Sequence, residues 1–379
     1  MARTCRTFHE PAVDPLWRCA ALANLFLCMP SDLRAVDETG DWITPYKMRF
    51  LRPIRTTDWQ RFLRYAPRVR PLFTEYDEWS LSEVLPALSL CLPENAFNHL
   101  QGLNWMHSDK DFHYIRAFLR PTLSTISCYS SSHCAMSLFS ILASKCPELK
   151  DISFESTCYL GDSNIGPEAQ AVSSTVCESQ LLEVVSVHIL DQQALEHVSR
   201  LPNLTALHVN ALPVSLSIPP ASDTRPFPAL RTLHLVYPEI QPAIRFLLMC
   251  RDLLLASFTA TFPEPITRIE ADDFYTALVA ACAHKSVTNI HVDSDADYWN
   301  LLDPSQYLVS SRSLRMLLCL VNLTSIYIKC DAGFELDDDI ASDLARAWPR
   351  IQTLKFVVDI PSSQPPPVTI ACLSPFYVR

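Results

Sequence analysis

Imidazole, thiol and carboxylate side chains recur along this 379-residue chain at spacings that invite a metal or catalytic reading. His208 and His234 hold equivalent places in the similar segments LPNLTALHV (201–209) and FPALRTLHL (227–235). Neutral imidazole is a common metal ligand. No Cys or carboxylate accompanies the two at fixed spacing, so they point to structure or recognition. Cys128, His133 and Cys134 form a C-x4-H-C cluster, whereas structural zinc takes four ligands in paired spacings. DSDADY (293–298) starts like a calcium loop, then places Tyr298 where the tight turn wants Gly and Pro304 where a bidentate Glu belongs. Asp337, Asp338 and Asp339 precede the helical pattern IASDLARAW and suit a helix N-terminus, where an acidic cap meets the positive end of the dipole. No metal site and no cofactor is expected.

Other chemistries fail on similar grounds. GDSNIG (161–166) is followed by Pro167 rather than by Lys and a hydroxyl residue, and the chain has only five glycines, too few for a loop that cradles phosphate. There is no G-x-S-x-G and no H-E-x-x-H. Ser, His and Asp are too common for a triad to be inferred without geometry. The expectation is a protein that binds and does not catalyse.

The elements that must position these groups follow from a repeat. CPELKDISF (146–154), LPNLTALHV, FPALRTLHL, LVNLTSIYI (320–328) and WPRIQTLKF (348–356) share one apolar spacing that is neither helical nor strictly alternating. Counting from the first aliphatic position of L-x-x-L-x-L, units begin at Val69, Leu100, Leu123, Leu149, Leu182, Leu204, Leu230, Leu253, Val287, Leu323 and Ile351. Their mean spacing of about 28 residues fits leucine-rich repeats, which run from roughly 20 to 29. Between them lie stretches with helical apolar spacing, such as SLSEVLPALSLCL (80–92), AMSLFSILASKC (135–146) and DDFYTALVAACAH (272–284). One strand–helix unit cannot bury its apolar face alone, but stacked units share a continuous core. The predicted fold is α/β: a leucine-rich-repeat solenoid, or horseshoe, with a parallel sheet on its concave face and helices on its convex face.

Composition narrows the partners. A hydrophobic content of 49% with 19% charged residues supports a folded chain. A net charge of −10 argues against nucleic acid, because the attraction to a phosphate backbone is missing. The longest apolar run, Ala20 to Met29, contains Asn24 and is half a membrane span, so no membrane segment is expected. Glu10, Pro11, Asp14 and Pro15 ahead of that run do not suit a secretion signal. A cytoplasmic or nuclear location is expected, with the fourteen cysteines reduced and mostly buried. The sequons at Asn203 and Asn322 fall inside the repeat and are read as repeat residues.

The first forty residues do not repeat. TCRTFHEPAVDPLWR (4–18) resembles the second half of an F-box. RFLRPIRTTDWQRFLRYAPRVRPL (49–72), FPALRTLHL and NLTSIYIKCDAGFELDDDIASDLARAWPRIQTL (322–354) resemble the body of a large fungal, mainly basidiomycete, family of F-box and leucine-rich-repeat proteins. The resemblance implies a substrate-recognition subunit that docks on the Skp-type adaptor of a Skp-cullin-F-box ubiquitin ligase and holds an unidentified protein substrate on its repeats. It places Phe8, Leu16 and Trp17 at apolar F-box positions that pack locally or touch the adaptor. An F-box of this kind opens with a Leu-Pro helix, and Met1 lies past that point, so a partial docking surface is expected. PPPVTIACLSPFYVR starts like the lead-in to another repeat and stops, so an array without its cap is expected. The expected organisation is a partial F-box with linker helices over 1–45, repeats over 46–358 and a Pro-rich tail over 359–379.

Within the repeat, the outward position between the second and third inward residues gives a line across the sheet: Phe73, Asn104, Ser127, Ser153, Ser186, His208, His234, Ser257, His291, Tyr327 and Lys355. Adjacent strands lie about 4.8 Å apart, so these side chains form a row on the concave face, the usual binding surface of a solenoid. Ser153, Ser186, His208, His234, Ser257, His291, Tyr327 and Lys355 are the predicted partner contacts. The competing reading is a merely solvated polar face, or a repeat scaffold with no link to ubiquitin.

Overall fold

Leu230, Leu233 and Leu235 are fully buried, while Thr232, His234 and Val236 are half-exposed. That alternation belongs to a strand with one covered face. The same pattern recurs at each repeat segment except the last, where Ile351, Leu354 and Phe356 are only half-buried, and it organises the computed structural model, which describes residues 6–39, 45–74, 79–106, 109–129, 134–155, 166–213, 216, 225–294 and 303–358. His133, Tyr298, most of the 161–166 segment and the 359–379 tail lie outside the described residues.

The chain divides into two compact units, Met1–Cys158 with Glu178–Leu182, and Tyr159–Cys177 with Glu183–Arg379. The first opens with α1 (Arg6–Trp17), β1 (Ala20–Ala21), α2 (Leu22–Leu27), β2 (Arg34–Glu38), β3 (Tyr46–Phe50) and α3 (Trp59–Tyr65). It continues with β4 (Pro71–Phe73), β5 (Trp79–Ser80), α4 (Leu85–Cys91), β6 (Gly102–Trp105), β7 (Thr125–Tyr129), α5 (Cys134–Lys145) and β8 (Asp151–Glu155). β1, β4, β6, β7 and β8 pair in that order, all parallel. The sheet therefore takes its first strand from residues ahead of position 46. β2 antiparallel to β3, and β3 parallel to β5, make a small second sheet that the repeat spacing does not predict. The core is aromatic: Phe26, Phe62, Phe97 and Phe118 follow one another at centroid distances of 6.0, 5.9 and 5.5 Å, and Trp105 meets Phe118 at 5.6 Å.

The second unit is more regular. It contains α6 (Pro167–Glu178), β9 (Val184–Ile189), α7 (Gln192–Arg200), β10 (Ala206–Ala211), β11 (Thr232–Val236), α8 (Ile240–Met249) and β12 (Ser257–Phe262). After these come α9 (Arg268–Ala281), β13 (Asn289–Ser294), α10 (Ser311–Met316), β14 (Ser325–Cys330), α11 (Asp338–Ala347) and β15 (Thr353–Val358). β9 to β15 pair in sequence order, all parallel, and every connection except that from β10 to β11 carries a helix among the described residues. Parallel neighbours need such a crossover to bring the chain back to the start of the next strand. This is the leucine-rich-repeat fold. No helix among the described residues is long and apolar enough to cross a membrane.

Four helices of the second unit, α7, α9, α10 and α11, are capped by side chains at their starts. Asp191 accepts from the Ala194 amide at 2.8 Å, Thr267 and Glu270 form a capping box at the start of α9, and Asp337 accepts from the Ile340 amide at 2.8 Å. The acidic triplet 337–339 is thus the cap and first turn of α11. Each such cap satisfies amides that an open helix end leaves unpaired. With few glycines available, Phe227, Tyr237 and Asp252 adopt left-handed φ values of 54°, 55° and 52°. That conformation costs a non-Gly residue energy and is held by its surroundings, as at Phe227, which is fully buried.

A second device joins the units of the array. The Glu183 carbonyl accepts from the Thr205 and Ala206 amides and from the Thr205 hydroxyl, the last at 3.0 Å. The Ala256 carbonyl takes the same three bonds from Thr288 and Asn289, and the Thr288 carbonyl takes them from Thr324 and Ser325. In the first unit the Gln101 carbonyl does so with Ser124 and Thr125. The acceptor in each case directly follows an anchor residue, so neighbouring units are held in one register.

No disulfide forms among the described residues, and Cys128, Cys146, Cys250, Cys282 and Cys330 are buried. Burial pushes their thiols up, Cys146 to about 11 and Cys282 and Cys330 to about 12, because the thiolate loses its hydration. Cys128 therefore faces the core from β7.

One polar knot stands apart. Arg52 grips Asp58 through two guanidinium nitrogens at 2.7 and 2.9 Å, and its Nε donates to Asp32 at 2.9 Å. The Arg55 amide also donates to Asp58 at 2.7 Å. The Arg52 hydrogen bonds, then the Arg55 amide, hold the Asp58 carboxyl down to about 2 from an ordinary 3.8. Because the folded value is depressed, the stabilisation is present above 3.8 and is lost as pH falls through about 2. Asp58→Asn should therefore lower the urea midpoint at neutral pH, and the gap from the parent chain should close as the pH approaches the folded value. An equal gap at both pH values would show that the charge on Asp58 does not contribute. Leu233→Ala, at a fully buried anchor position, should cost about 2–5 kcal/mol in the same assay.

Candidate functional site

Alternation along each strand and register between strands together set the chemistry of the open sheet face. In the second unit the register aligns Ser186 with His208, His208 with His234, His234 with Thr259, Thr259 with His291, His291 with Tyr327, and Tyr327 with Lys355. In the first unit it aligns Phe73 with Asn104, Asn104 with Ser127, and Ser127 with Ser153. The predicted row is present in each unit with one correction. Ser257 is not in it: it pairs with Thr232 and Asn289, two residues earlier along the strand, and Thr259 takes the place. In the run Leu253-Leu254-Leu255 the anchor is Leu255, because Leu255, Phe258 and Ala260 are the buried set and the Ala256 carbonyl is the shared acceptor. Leu253 is buried as well, in a bridge to Cys282, so either leucine satisfies the spacing.

The row's side chains touch. The rings of His208 and His234 meet edge to face at 5.4 Å and 73°, and His291 stacks on Tyr327 at 4.3 Å and 15°. Asp293 and Lys329 form the next outward step, with Lys329 Nζ 3.5 Å and His291 Nε2 3.9 Å from the carboxylate. Both separations exceed a hydrogen bond, so these are charge contacts. Neither Asp293 nor Lys329 was singled out by the repeat spacing. The signal was the period of two, which returns Asp293 and Lys329 to the face that carries His291 and Tyr327.

Partial burial, followed by the charges of His208 and His291, holds the His234 imidazole below its ordinary 6.5. His188 is also held down by burial. At neutral pH the His234 ring is therefore uncharged. Among the described residues no group of three or more His, Cys, Asp or Glu side chains is placed to hold a metal ion.

At the other predicted surface, α1 carries Phe8, Leu16 and Trp17. The Phe8 side chain lies outside the described set. Leu16 is 65% exposed. Trp17 stacks on Tyr65 of α3 at 4.5 Å and 13°, and Asp14 pairs with Arg68, so α1 is tied to its own unit.

No protein-family model and no curated protein matches the chain. Among solved structures it is similar to the crystal structure of the Rad7 and Elc1 complex in yeast, with 13% identity and a TM-score of 0.42 over 79% of this chain and 80% of that one. It is also similar to the leucine-rich repeat-containing protein LegL7 from Legionella pneumophila, with 13% identity and a TM-score of 0.35 over 81% of this chain and 89% of that one. These likenesses concern the fold alone, and the repeat itself is established by the register and burial described above.

The depressed His234 value has a sign. Neutral imidazole is the native form, so the stabilisation it brings is complete above 6.5 and is lost as pH falls through the lower folded value. Urea midpoints should decline with acidification below 6.5, and His234→Gln should flatten that decline. An imidazole resonance of His234 titrating above 6.5 would refute the assignment.

Proposed function

We propose that this chain is a non-enzymatic, intracellular adaptor that binds a protein partner on the open sheet face of its second unit. The observation that carries the reading is the row His208, His234, His291 and Tyr327, whose rings meet in two pairs, His208 with His234 and His291 with Tyr327, on the half-exposed side of the strands. Flat amphipathic rings suit protein recognition: they bring large contact area at low conformational cost, and Tyr is enriched among energetically dominant contacts. A weakly charged sheet face fits a folded surface or an extended chain better than a highly charged polymer.

The finer reading is a substrate-recognition subunit of a Skp-cullin-F-box ubiquitin ligase. It rests on the resemblance of residues 4–18 to an F-box and on α1, which presents Leu16 to solvent. Phe8, Leu16 and Trp17 would meet the Skp-type adaptor. The alternative, a repeat scaffold without that link, is favoured by one observation: Trp17 already spends a face on Tyr65, and Asp14 is engaged with Arg68.

Two experiments separate these readings. Purified Skp adaptor should co-elute with the full chain, and Leu16→Asp should abolish co-elution while leaving the melting temperature unchanged, since an exposed side chain away from caps and core contributes little to stability. Absence of co-elution would leave the scaffold reading. For the sheet face, His234→Ala combined with Tyr327→Ala should reduce partner recovery by proximity labelling in cells, and an unchanged recovery profile would move the binding surface elsewhere.

A further inference from the structure

The helix-side cavity of the first unit carries chemistry that the partner-binding reading does not use. It has a volume of about 480 Å³ and is lined by His113, Tyr114, Arg116, Arg120 and Lys145 over the apolar side chains of Leu119 and Ile141. Its lining contains no carboxylate, in a chain whose net charge is −10.

The local fold explains how the cations converge. Residues Asp109–Phe118 form a 3₁₀ helix of ten residues, far longer than the three or four usual for such a run. With three residues per turn, every third side chain lies on one face. Phe112, Ile115 and Phe118 are accordingly buried, and His113 and Arg116 fall in line on an outer face. Arg120 follows directly, and α5 supplies Lys145 from its last turn.

Lys145 also suits the negative end of the α5 dipole, but that does not account for the two arginines beside it. Neither Arg116 nor Lys145 has an ion-pair partner among the described residues. Arg120 is half-buried and uses Nη1 on the Leu119 carbonyl at 2.8 Å, leaving its other N–H groups for a further acceptor. Burial lowers its affinity for its proton, with the nearby Glu94 opposing that. A guanidinium stripped of part of its water interacts more strongly with an arriving anion than an exposed one does.

We propose that this cavity is a binding site for a compact organic phosphate, with the phosphate held by Arg116, Arg120 and Lys145 and the organic group seated against Tyr114, Leu119 and Ile141. Arginine pairs recognise phosphate through parallel N–H donors, and lysine adds a point charge. The volume lies within the range of small-molecule sites, roughly 300 to 1,000 Å³, and far exceeds what an inorganic ion fills. The same chemistry could arrive on a free molecule or on a phosphorylated tyrosine of a peptide. The site does not depend on the open sheet face or on the ubiquitin reading.

Calorimetric titration of the full chain decides it, with phenyl phosphate, inorganic phosphate, benzyl alcohol and a short phosphotyrosyl peptide as probes. Phenyl phosphate should bind saturably at one site per chain, more tightly than inorganic phosphate, with benzyl alcohol giving no saturable heat. Affinity should fall as NaCl rises. Arg116→Gln with Lys145→Gln should weaken phenyl phosphate by about tenfold or more, at an unchanged melting temperature because both side chains are exposed. Should that variant melt early, Tyr114→Ala takes its place and must weaken phenyl phosphate while sparing inorganic phosphate. Tighter binding of the peptide would assign the phosphate to a modified chain, and weaker or equal binding would assign it to a free molecule; either supports the site. No saturable binding of phenyl phosphate or the peptide, equal binding of benzyl alcohol, or an unchanged affinity in a folded variant would overturn it.

Discussion

A single carbonyl shared by two amides of the next strand, and at four junctions by a hydroxyl as well, sets the geometry on which the array depends. Glu183, Ala256 and Thr288 supply it in the second unit and Gln101 in the first. Parallel strands exchange evenly spaced bonds that would tolerate a slip of two residues without turning any side chain to the wrong face. The hydroxyl of Thr205, Thr288, Thr324 or Ser124 breaks that degeneracy, because it reaches its acceptor only when anchor lies beside anchor. Buried leucines make each strand adhere to its neighbour, and the shared acceptor decides where along the neighbour it adheres.

Everything on the open face inherits this register. His208 meets His234, and His291 meets Tyr327, only because four separate strands start at matching places. No pair of these residues is close in sequence, and no loop holds them together. A face built this way is rigid for the same reason that the core is stable, so its rings are held in place without a separate ordering step. The small sheet β2–β3–β5, of mixed pairing, and the Arg52–Asp58 knot lie outside this scheme and hold their part of the first unit separately.

The repeat was legible because its signal is local: an aliphatic residue, two spacers, and another aliphatic residue recur within a few positions of each other. Every proposed anchor from Val69 to Leu323 is buried. The one misplacement, Ser257 for Thr259, arose where Leu253, Leu254 and Leu255 offer competing starts that strand register and the Thr288 hydroxyl bond tell apart. β1 was not legible, since Ala20–Ala21 is too short to show a period. The 3₁₀ segment was missed because Phe112, Ile115 and Phe118 recur at three, which over few residues resembles a helix of 3.6. The row of the candidate face was readable residue by residue, whereas the ring contacts within it depend on side-chain rotation. The stack of Trp17 on Tyr65 joins segments far apart in the chain and left no sequence trace.

The buried thiols give the molecule an internal clock for its own breathing. Cys128 and Cys146 sit in the first unit, and Cys250, Cys282 and Cys330 are spread through the second. With their pKa values raised by burial, these sulfurs are almost wholly protonated and inaccessible in the closed chain, so an alkylating reagent reaches each only while its own stretch of strand and helix has come apart. Solenoids open by segments, in cooperative blocks of unequal stability. The rate at which each cysteine is modified is therefore a record, position by position, of how often that block opens, written by residues whose everyday task is only to fill space.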